Sequence, residues 1–180
     1  MNKLSTALLI GLVVLSLSTA AAAQKFTSIY TSTDTKSCRT LESDTSEAGW
    51  YRGRCRGVGG YTLELTEGDL RQSLDLITPS KKKFELDLTS FFPSFSALGR
   101  KVEWRLKKGV PVALIVRYFV ADSEGTKKDT PYLIVASVGR RSSCVIDIID
   151  PGTGQNEKAR RSADAAATTG CYSIKQVVGH

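Results

Sequence analysis

The feature that most constrains the fold is a pair of apolar runs in the second half of the chain. They span Val110–Val120 and 132–138, and both are rich in β-branched and aromatic residues and bounded by turn-forming residues. Such composition is typical of buried strands. With further alternating segments at 102–106 and 144–149, the two runs predict a four-stranded antiparallel meander.

The strand at Val110–Val120 is apolar on both faces. Leu114 and Val116 alternate with Ala113 and Ile115, so neither face is predominantly polar. A strand of this kind needs cover on both sides. One side is expected to face the main core, which leaves the other to be covered by a separate element.

The segment 154–168 has the pattern of a helix that could supply this cover. Small residues recur at helical spacing along one face, and oppositely charged residues four apart on the other face predict ion pairs within the helix. Gly170 is a suitable helix stop. The small-residue face comprises Ala159, Ala163, Ala166 and Ala167, and the expected ion pairs are Glu157–Arg161 and Arg160–Asp164.

The first half of the chain after residue 24 consists of short alternating segments separated by turns. About nine strands in all, with turn signals every 8 to 12 residues, are typical of a sandwich or barrel. The fold class predicted is mainly β with one C-terminal helix, a β-rich α+β protein whose antiparallel meander forms a sandwich or open barrel with helix 154–168 packed on the sheet. The expected early strands are 26–32, 37–41, 49–55, 61–65, 70–77 and 81–88, with an aromatic-rich connection at 90–99 and a last edge strand at 172–178.

Residues 1–23 have the pattern of a secretory signal peptide. Lys3 precedes an apolar run at 4–18, and three alanines end the segment before Gln24. The run is short for a membrane span, so we expect cleavage rather than a retained N-terminal anchor, and no transmembrane anchor afterwards. The prediction is one disulfide-stapled domain over residues 24–180, either periplasmic or secreted.

All four cysteines follow this predicted leader. An even number of cysteines in an oxidising compartment indicates two disulfides, for which three pairings are possible. The pairing Cys38–Cys55 with Cys144–Cys171 is favoured because each bond closes a local unit. There is no CxxC pair and the single histidine is His180, so we expect no metal site, no cofactor and no histidine-dependent nucleophile.

A basic and aromatic stretch is the strongest candidate for a binding surface. Three arginines alternate along the expected third strand, so their side chains share one face. Basic groups beside aromatic rings could bind an anionic envelope polymer or an envelope protein. The alternative is a solvated strand face on which arginine stems cover apolar surface. The candidate binding residues are Trp50, Arg52, Arg54, Arg56 and Tyr61.

Two other sets of charged residues could form sites. Arg117 and Asp147 lie within apolar strands, which predicts a partly buried ion pair. A pair of carboxylates could hydrolyse a glycoside, although no spacing in the sequence requires it. The carboxylates available for such a role are Glu64, Glu67, Asp69 and Glu103.

A pattern that runs through the exported part resembles an uncharacterised family of small exported proteins of alphaproteobacteria. The resemblance implies a periplasmic or secreted setting and supplies no catalytic residues. The residues that carry it are Cys38, Gly49-Trp50, Arg54-Cys55, Gly59-Gly60-Tyr61, Glu67 to Arg71, Leu98-Gly99, Val102 to Arg105, Cys144, Ala159-Arg160, Ala163-Asp164 and Cys171.

These observations favour a non-enzymatic periplasmic or secreted binding protein. A secreted inhibitor of a lysozyme or protease is the first alternative, and an envelope hydrolase is the second. Removal of Lys3 changes the formal charge from +7 to +6, which would repel a basic lysozyme. Nucleic acid is not an expected partner, because this charge is modest and export separates the chain from it.

Overall fold

The computed structural model describes residues 25–46, 49–122 and 124–173. The predicted signal peptide, His180 and most of the predicted edge strand 172–178 lie outside these ranges. Within them, no helix combines the length and apolar character needed to span a membrane.

The described residues form ten strands, which belong to one mixed sheet, and a single α-helix near the C-terminus. The mainly β fold class with a C-terminal helix on the sheet is therefore confirmed. The strands are β1 (Phe26–Ser32), β2 (Arg39–Asp44), β3 (Trp50–Arg56), β4 (Thr62–Gly68), β5 (Arg71–Ile77), β6 (Lys83–Glu85), β7 (Ser96–Lys107), β8 (Val110–Val120), β9 (Thr130–Ser137) and β10 (Val145–Ile149), and the helix is α1 (Gln155–Asp164).

The predicted four-stranded meander is β7 to β10, each antiparallel to the next. Its first strand begins at Ser96 rather than at Val102, because an irregularity in the β7–β8 pairing between Leu98 and Val102 allows the strand to continue through the expected connection. The expected strand at 81–88 is reduced to β6. Most other predicted strands agree with observed ones to within a few residues.

Strand β7 joins the two halves of the sheet. Its start pairs in parallel with β5, through Arg71 and Ser96, and its remainder pairs antiparallel with β1 on the same edge. Strands β2 to β5 form a second antiparallel meander, in which β5 is the strand next to β7. The sheet remains open and does not close into a barrel.

The main core is filled by apolar side chains from both meanders. Trp104 on β7 and Tyr118 on β8 are fully buried, together with leucines from β4 and β5 such as Leu63 and Leu74. Residues from β4 and β5 therefore share one core with residues from β7 to β9. This burial is the main favourable contribution to folding.

The helix covers the opposite face of the β7–β10 meander, as predicted. Ala159 and Ala163 have no exposed surface and pack against Ala113 and Ile115 on β8 and Val135 on β9. Small side chains allow the helix axis to approach the strands closely. Ala167, expected on the same face, is exposed because the regular helix ends at Asp164.

The prediction of ion pairs within the helix is wrong. Arg160 Nε instead donates to Glu103 Oε1 at 2.8 Å, and Asp164 accepts two hydrogen bonds from Arg105, each 2.8 Å long. Both partners lie on β7, under the helix. Bidentate arginine–carboxylate geometry is stronger than an exposed pair along a helix, so these contacts fasten α1 to the sheet.

Both predicted disulfides are present. Cys38–Cys55 joins the start of β2 to the end of β3, and Cys144–Cys171 joins the start of β10 to the chain beyond α1. Tyr172 N–H also donates to the Val145 carbonyl at 2.7 Å. The segment that follows the helix is thus held to β10 by a covalent bond and a backbone hydrogen bond.

The predicted Arg117–Asp147 ion pair does not form. Arg117 lies opposite Leu133 of β9, whereas Asp147 lies opposite Val135 on the far side of that strand. Strand β9 therefore separates the two side chains. Arg117 donates instead to Gln155 at the start of α1, over 3.0 Å.

Candidate functional site

The predicted basic-aromatic row is only partly on the surface. Trp50, Arg52, Arg54 and Arg56 occupy alternate positions of β3, and Trp50 is 41% exposed. Tyr61 is buried in the main core, where its ring centroid lies 6.4 Å from that of Trp104. Tyr61 is therefore not available to a ligand on this face.

The two central arginines of this row are neutralised by carboxylates. Arg54 donates to Glu64 at 2.7 Å, and Arg52 forms ion pairs with Glu42 and, at 3.7 Å, with Glu64. Each guanidinium thus has an acidic partner on a neighbouring strand. Ion pairs thus occupy two of the three arginines, and only Arg56 lacks a carboxylate partner among the described residues.

Glu64 and Asp75 face each other across β4 and β5, with Lys83 between them. Lys83 Nζ lies 3.0 Å from Glu64 Oε1 and 2.7 Å from Asp75 Oδ2. Burial disfavours ionised Glu64, but hydrogen bonds from Arg54 and Lys83 outweigh it and lower its pKa below the ordinary value. Burial raises the pKa of Asp75 despite Lys83.

Two carboxyls with divergent pKa values are typical of acid–base catalysis. Here, however, the Glu64 and Asp75 side chains are only 4% and 9% exposed, and Lys83 occupies the space between them. Neither of them lines the clefts described below. The arrangement serves to join β4, β5 and β6 rather than to admit a glycoside.

A second candidate site lies on the helix-bearing face of the sheet, where α1 leaves part of β7, β8 and β1 uncovered. This basic cleft has a volume of about 580 Å³, within the usual range for ligand pockets. Its apolar and aromatic residues are Tyr30, Leu98, Ile115, Phe119 and Leu133, and its basic residues are Arg100, Lys101 and Arg117.

Local sequence explains the shape of the basic cleft. Gly99 lies in the irregular part of β7, and a Cβ at this position would come within 2.9 Å of the Arg117 Cβ. Glycine thus permits the close approach of β7 and β8 at the floor. Because α1 begins only at Gln155, Phe119 stays partly exposed beyond its first turn, where Asn156 forms one wall.

The cations of the basic cleft are largely uncompensated. Lys101 has no carboxylate within salt-bridge distance among the described residues, and Arg117 hydrogen-bonds to the neutral amides of Gln155 and Asn156. Arg100 is 85% exposed and has one acidic neighbour, Asp34, at 3.7 Å. The cleft can therefore attract an anion.

The one carboxylate in the basic cleft, Glu103, is occupied by other groups. Arg160 and Ser28 both donate to Glu103 Oε1, at 2.8 and 2.6 Å. Burial opposes the ionisation of Glu103, but these hydrogen bonds outweigh it and hold its pKa below the ordinary value. Glu103 is thus an ionised anchor for α1 and is poorly suited to act as a general acid.

This depressed pKa predicts an acid-sensitive contribution to stability. Because the pKa of Glu103 is lower in the folded than in the unfolded chain, its contribution is present above the unfolded value and is lost as pH falls through the folded value. Glu103→Gln should reduce the free energy of unfolding by about 1–3 kcal/mol at pH 7. Denaturant unfolding across the acid range should show the difference from the parent protein shrinking as pH falls.

The matched control is Glu124→Gln, which removes one exposed carboxylate without a partner among the described residues. It should change stability by less than about 0.5 kcal/mol at every pH. A Glu103→Gln effect that stayed constant down to strongly acidic pH would contradict the assigned role.

Sequence reasoning missed the basic cleft although two of its signals were available. Arg117 was recognised as a charge within an apolar strand, but it was assigned a carboxylate partner. Arg100-Lys101 follows Gly99 and could have indicated a strand irregularity with exposed basic residues. The role of Tyr30 could not be anticipated, because its position depends on the pairing of β1 with β7.

The described residues include no cluster of three or more potential metal ligands of the His, Cys, Asp or Glu type. No family model, curated protein or solved structure matches this chain.

Proposed function

We propose that the protein is an exported, non-enzymatic binding protein that holds an anionic envelope component in the basic cleft. The ligand is of the class expected from the sequence, but it binds a surface other than β3. Two disulfides are consistent with an exported protein, and the pattern of residues 1–23 supports a periplasmic or secreted location.

The observation that carries the proposal is the contrast between the two basic surfaces. On β3, Arg52 and Arg54 have carboxylate partners at short range. In the basic cleft, Lys101 and Arg117 have none among the described residues and stand beside apolar side chains. An unpaired cation near a low-dielectric wall attracts an anion more strongly than a cation that is already paired.

The shape of the basic cleft indicates what else the ligand should contain. Phe119, Ile115 and Leu133 form an apolar floor, and Tyr30 stands at the edge with 54% of its surface exposed. A ligand with a carboxylate or phosphate group on a partly apolar body would match both features. Binding of such a group needs no catalytic residue, and the ion-paired state of Glu103 supports a non-enzymatic role.

The test is binding of the oxidised protein to purified peptidoglycan and, separately, to lipopolysaccharide. Arg100→Ala/Lys101→Ala should weaken binding to the true ligand by about 10- to 100-fold, because two charge-assisted contacts are lost. Lys127→Ala/Lys128→Ala is the matched control, since it removes two adjacent exposed lysines from the loop before β9.

The two materials distinguish the source of the anionic group, because carboxylates predominate in the first and phosphates in the second. Binding should also decrease with added salt. Equal losses in both double variants would mean nonspecific attraction by net charge and would contradict the proposal. A loss of binding confined to Arg52→Ala/Arg54→Ala/Arg56→Ala would indicate that the ligand binds on β3 instead.

A further inference from the structure

The basic cleft is one end of a longer groove. Three further depressions follow it, and each shares lining residues with the one before. Arg100 and Lys101 connect the cleft to the second depression, Asp34 connects the second to the third, and Thr35 and Lys36 connect the third to the fourth. The groove thus runs from the basic cleft to Trp50 along the connection between β1 and β2.

The far end of the groove is polar with two exposed apolar residues. Trp50 and Leu70 are 41% and 64% exposed, and Asp44 and Glu67 supply carboxylates beside a single basic residue, Lys36. Hydroxyl groups line both the middle and the far end of the groove. They include Thr31, Ser32, Thr35, Thr40, Ser43 and Thr45.

The position of Leu70 is strained. Asp69 and Leu70 form a two-residue turn between β4 and β5 with φ of 52° and 56°, a conformation that favours Asn-Gly or Asp-Gly. Leucine rarely adopts this conformation, because its Cβ comes too close to the carbonyl oxygen that follows. The Leu70 carbonyl accepts from Ser96 N–H at 3.0 Å, which helps to fix the turn. Strain that holds an exposed apolar side chain beside Trp50 points to a binding role.

We infer that the groove binds a glycan chain in which acidic and neutral sugars alternate. An acidic sugar would occupy the basic cleft, and a neutral sugar would stack its C–H face on Trp50. Asp44 and Glu67 would accept hydrogen bonds from sugar hydroxyls there and would repel a second acidic group. This inference rests on the proposed function, since it names the ligand class of the same cleft.

Hydrogen bonding and length both favour a glycan over a peptide. The groove offers many short hydroxyl side chains and one flat indole, which match the alternating hydroxyl and C–H surfaces of a pyranose. The four depressions have volumes of about 580, 290, 260 and 630 Å³, so together they offer more space than one sugar ring fills. A chain of several sugars could therefore contact both ends at once, and the second contact would raise affinity through effective concentration.

The experiment measures affinity for hyaluronan oligosaccharides of increasing length, in which glucuronate alternates with neutral N-acetylglucosamine. The disaccharide should bind weakly and a decasaccharide much more tightly. Trp50→Ala should weaken decasaccharide binding by about 3- to 10-fold, as expected for one lost aromatic contact, and should leave disaccharide binding unchanged. Arg100→Ala/Lys101→Ala should weaken both.

Two controls make the result specific. Phe95→Ala removes another exposed aromatic ring, 52% exposed and outside the groove, and should have no effect on either oligosaccharide. Chitin oligosaccharides of the same length lack the acidic sugar and should bind less tightly.

The outcomes separate the two claims. An unchanged decasaccharide affinity in Trp50→Ala, or equal affinity for chitin oligosaccharides, would overturn the glycan groove while leaving the basic cleft intact. A disaccharide whose weak binding is insensitive to Arg100→Ala/Lys101→Ala would overturn the proposed anion site itself.

Discussion

Replacing Trp104 with alanine should lower the free energy of unfolding by about 3–5 kcal/mol. Trp104 is fully buried on β7, where it packs against Tyr61, and its indole Nε1 donates to Thr31 Oγ1 of β1 at 2.8 Å. The substitution would leave a large cavity in the main core. It would also remove a hydrogen bond that holds β1 to the sheet. Urea unfolding followed by circular dichroism would measure the change.

Trp50→Ala is the matched control, because the chain contains only two tryptophans and Trp50 is partly exposed. It should change stability by less than about 0.5 kcal/mol. A loss below about 1 kcal/mol for Trp104→Ala would mean that the core can collapse around the missing ring, contrary to the packing described above.

Removing the Cys144–Cys171 disulfide with two serines should lower the free energy of unfolding by about 3 kcal/mol. The bond closes a loop of 27 residues that contains β10 and α1. Its loss should also loosen α1 and, with it, the wall of the basic cleft formed by Asn156. We therefore expect weaker binding of a small anionic ligand as well as lower stability.

The other disulfide provides the comparison. Cys38→Ser/Cys55→Ser removes a bond with a sequence separation of 17, and it should reduce stability by a similar amount, again about 3 kcal/mol. Because Cys38 and Cys55 do not line the basic cleft, binding of a small anion to the remaining folded protein should not change. Equal loss of binding in both double variants would argue against a specific link between α1 and the cleft.

The individual strands and the helix could be predicted, because the sequence patterns that indicate them involve only residues close together in the chain. The two-sided apolar pattern of β8 correctly indicated a strand covered on both faces, and the spacing of Ala159 and Ala163 correctly indicated the helix on its second face. The disulfide pairing followed from the proximity of each cysteine pair along the chain. Periodicity and separation along the sequence were sufficient for these features.

The arrangement of strands around β7 could not be predicted in the same way. No periodicity in the sequence indicates that β1 and β5 share one edge of β7. The ion pairs predicted within α1 do not form, for a related reason. Arg160 and Asp164 have the spacing of a pair along a helix, but partners on β7, distant in sequence, offer better geometry. The basic cleft depends on the first of these pairings, because the pairing of β1 with β7 places Tyr30 at its edge.

The pairing of β1 with β7 also has a kinetic consequence. Ser28 and Glu103, which form a hydrogen bond between these strands, are 75 residues apart in the chain. Contacts between residues distant in sequence form slowly, because a long loop must close before the contact can stabilise the chain. When the chain is synthesised, β1 appears well before β7. Its side chains, which include Ile29 and Tyr30, stay exposed until β7 follows. During that interval β1 lacks the strand with which it pairs and is open to pairing with another chain or to capture by a chaperone.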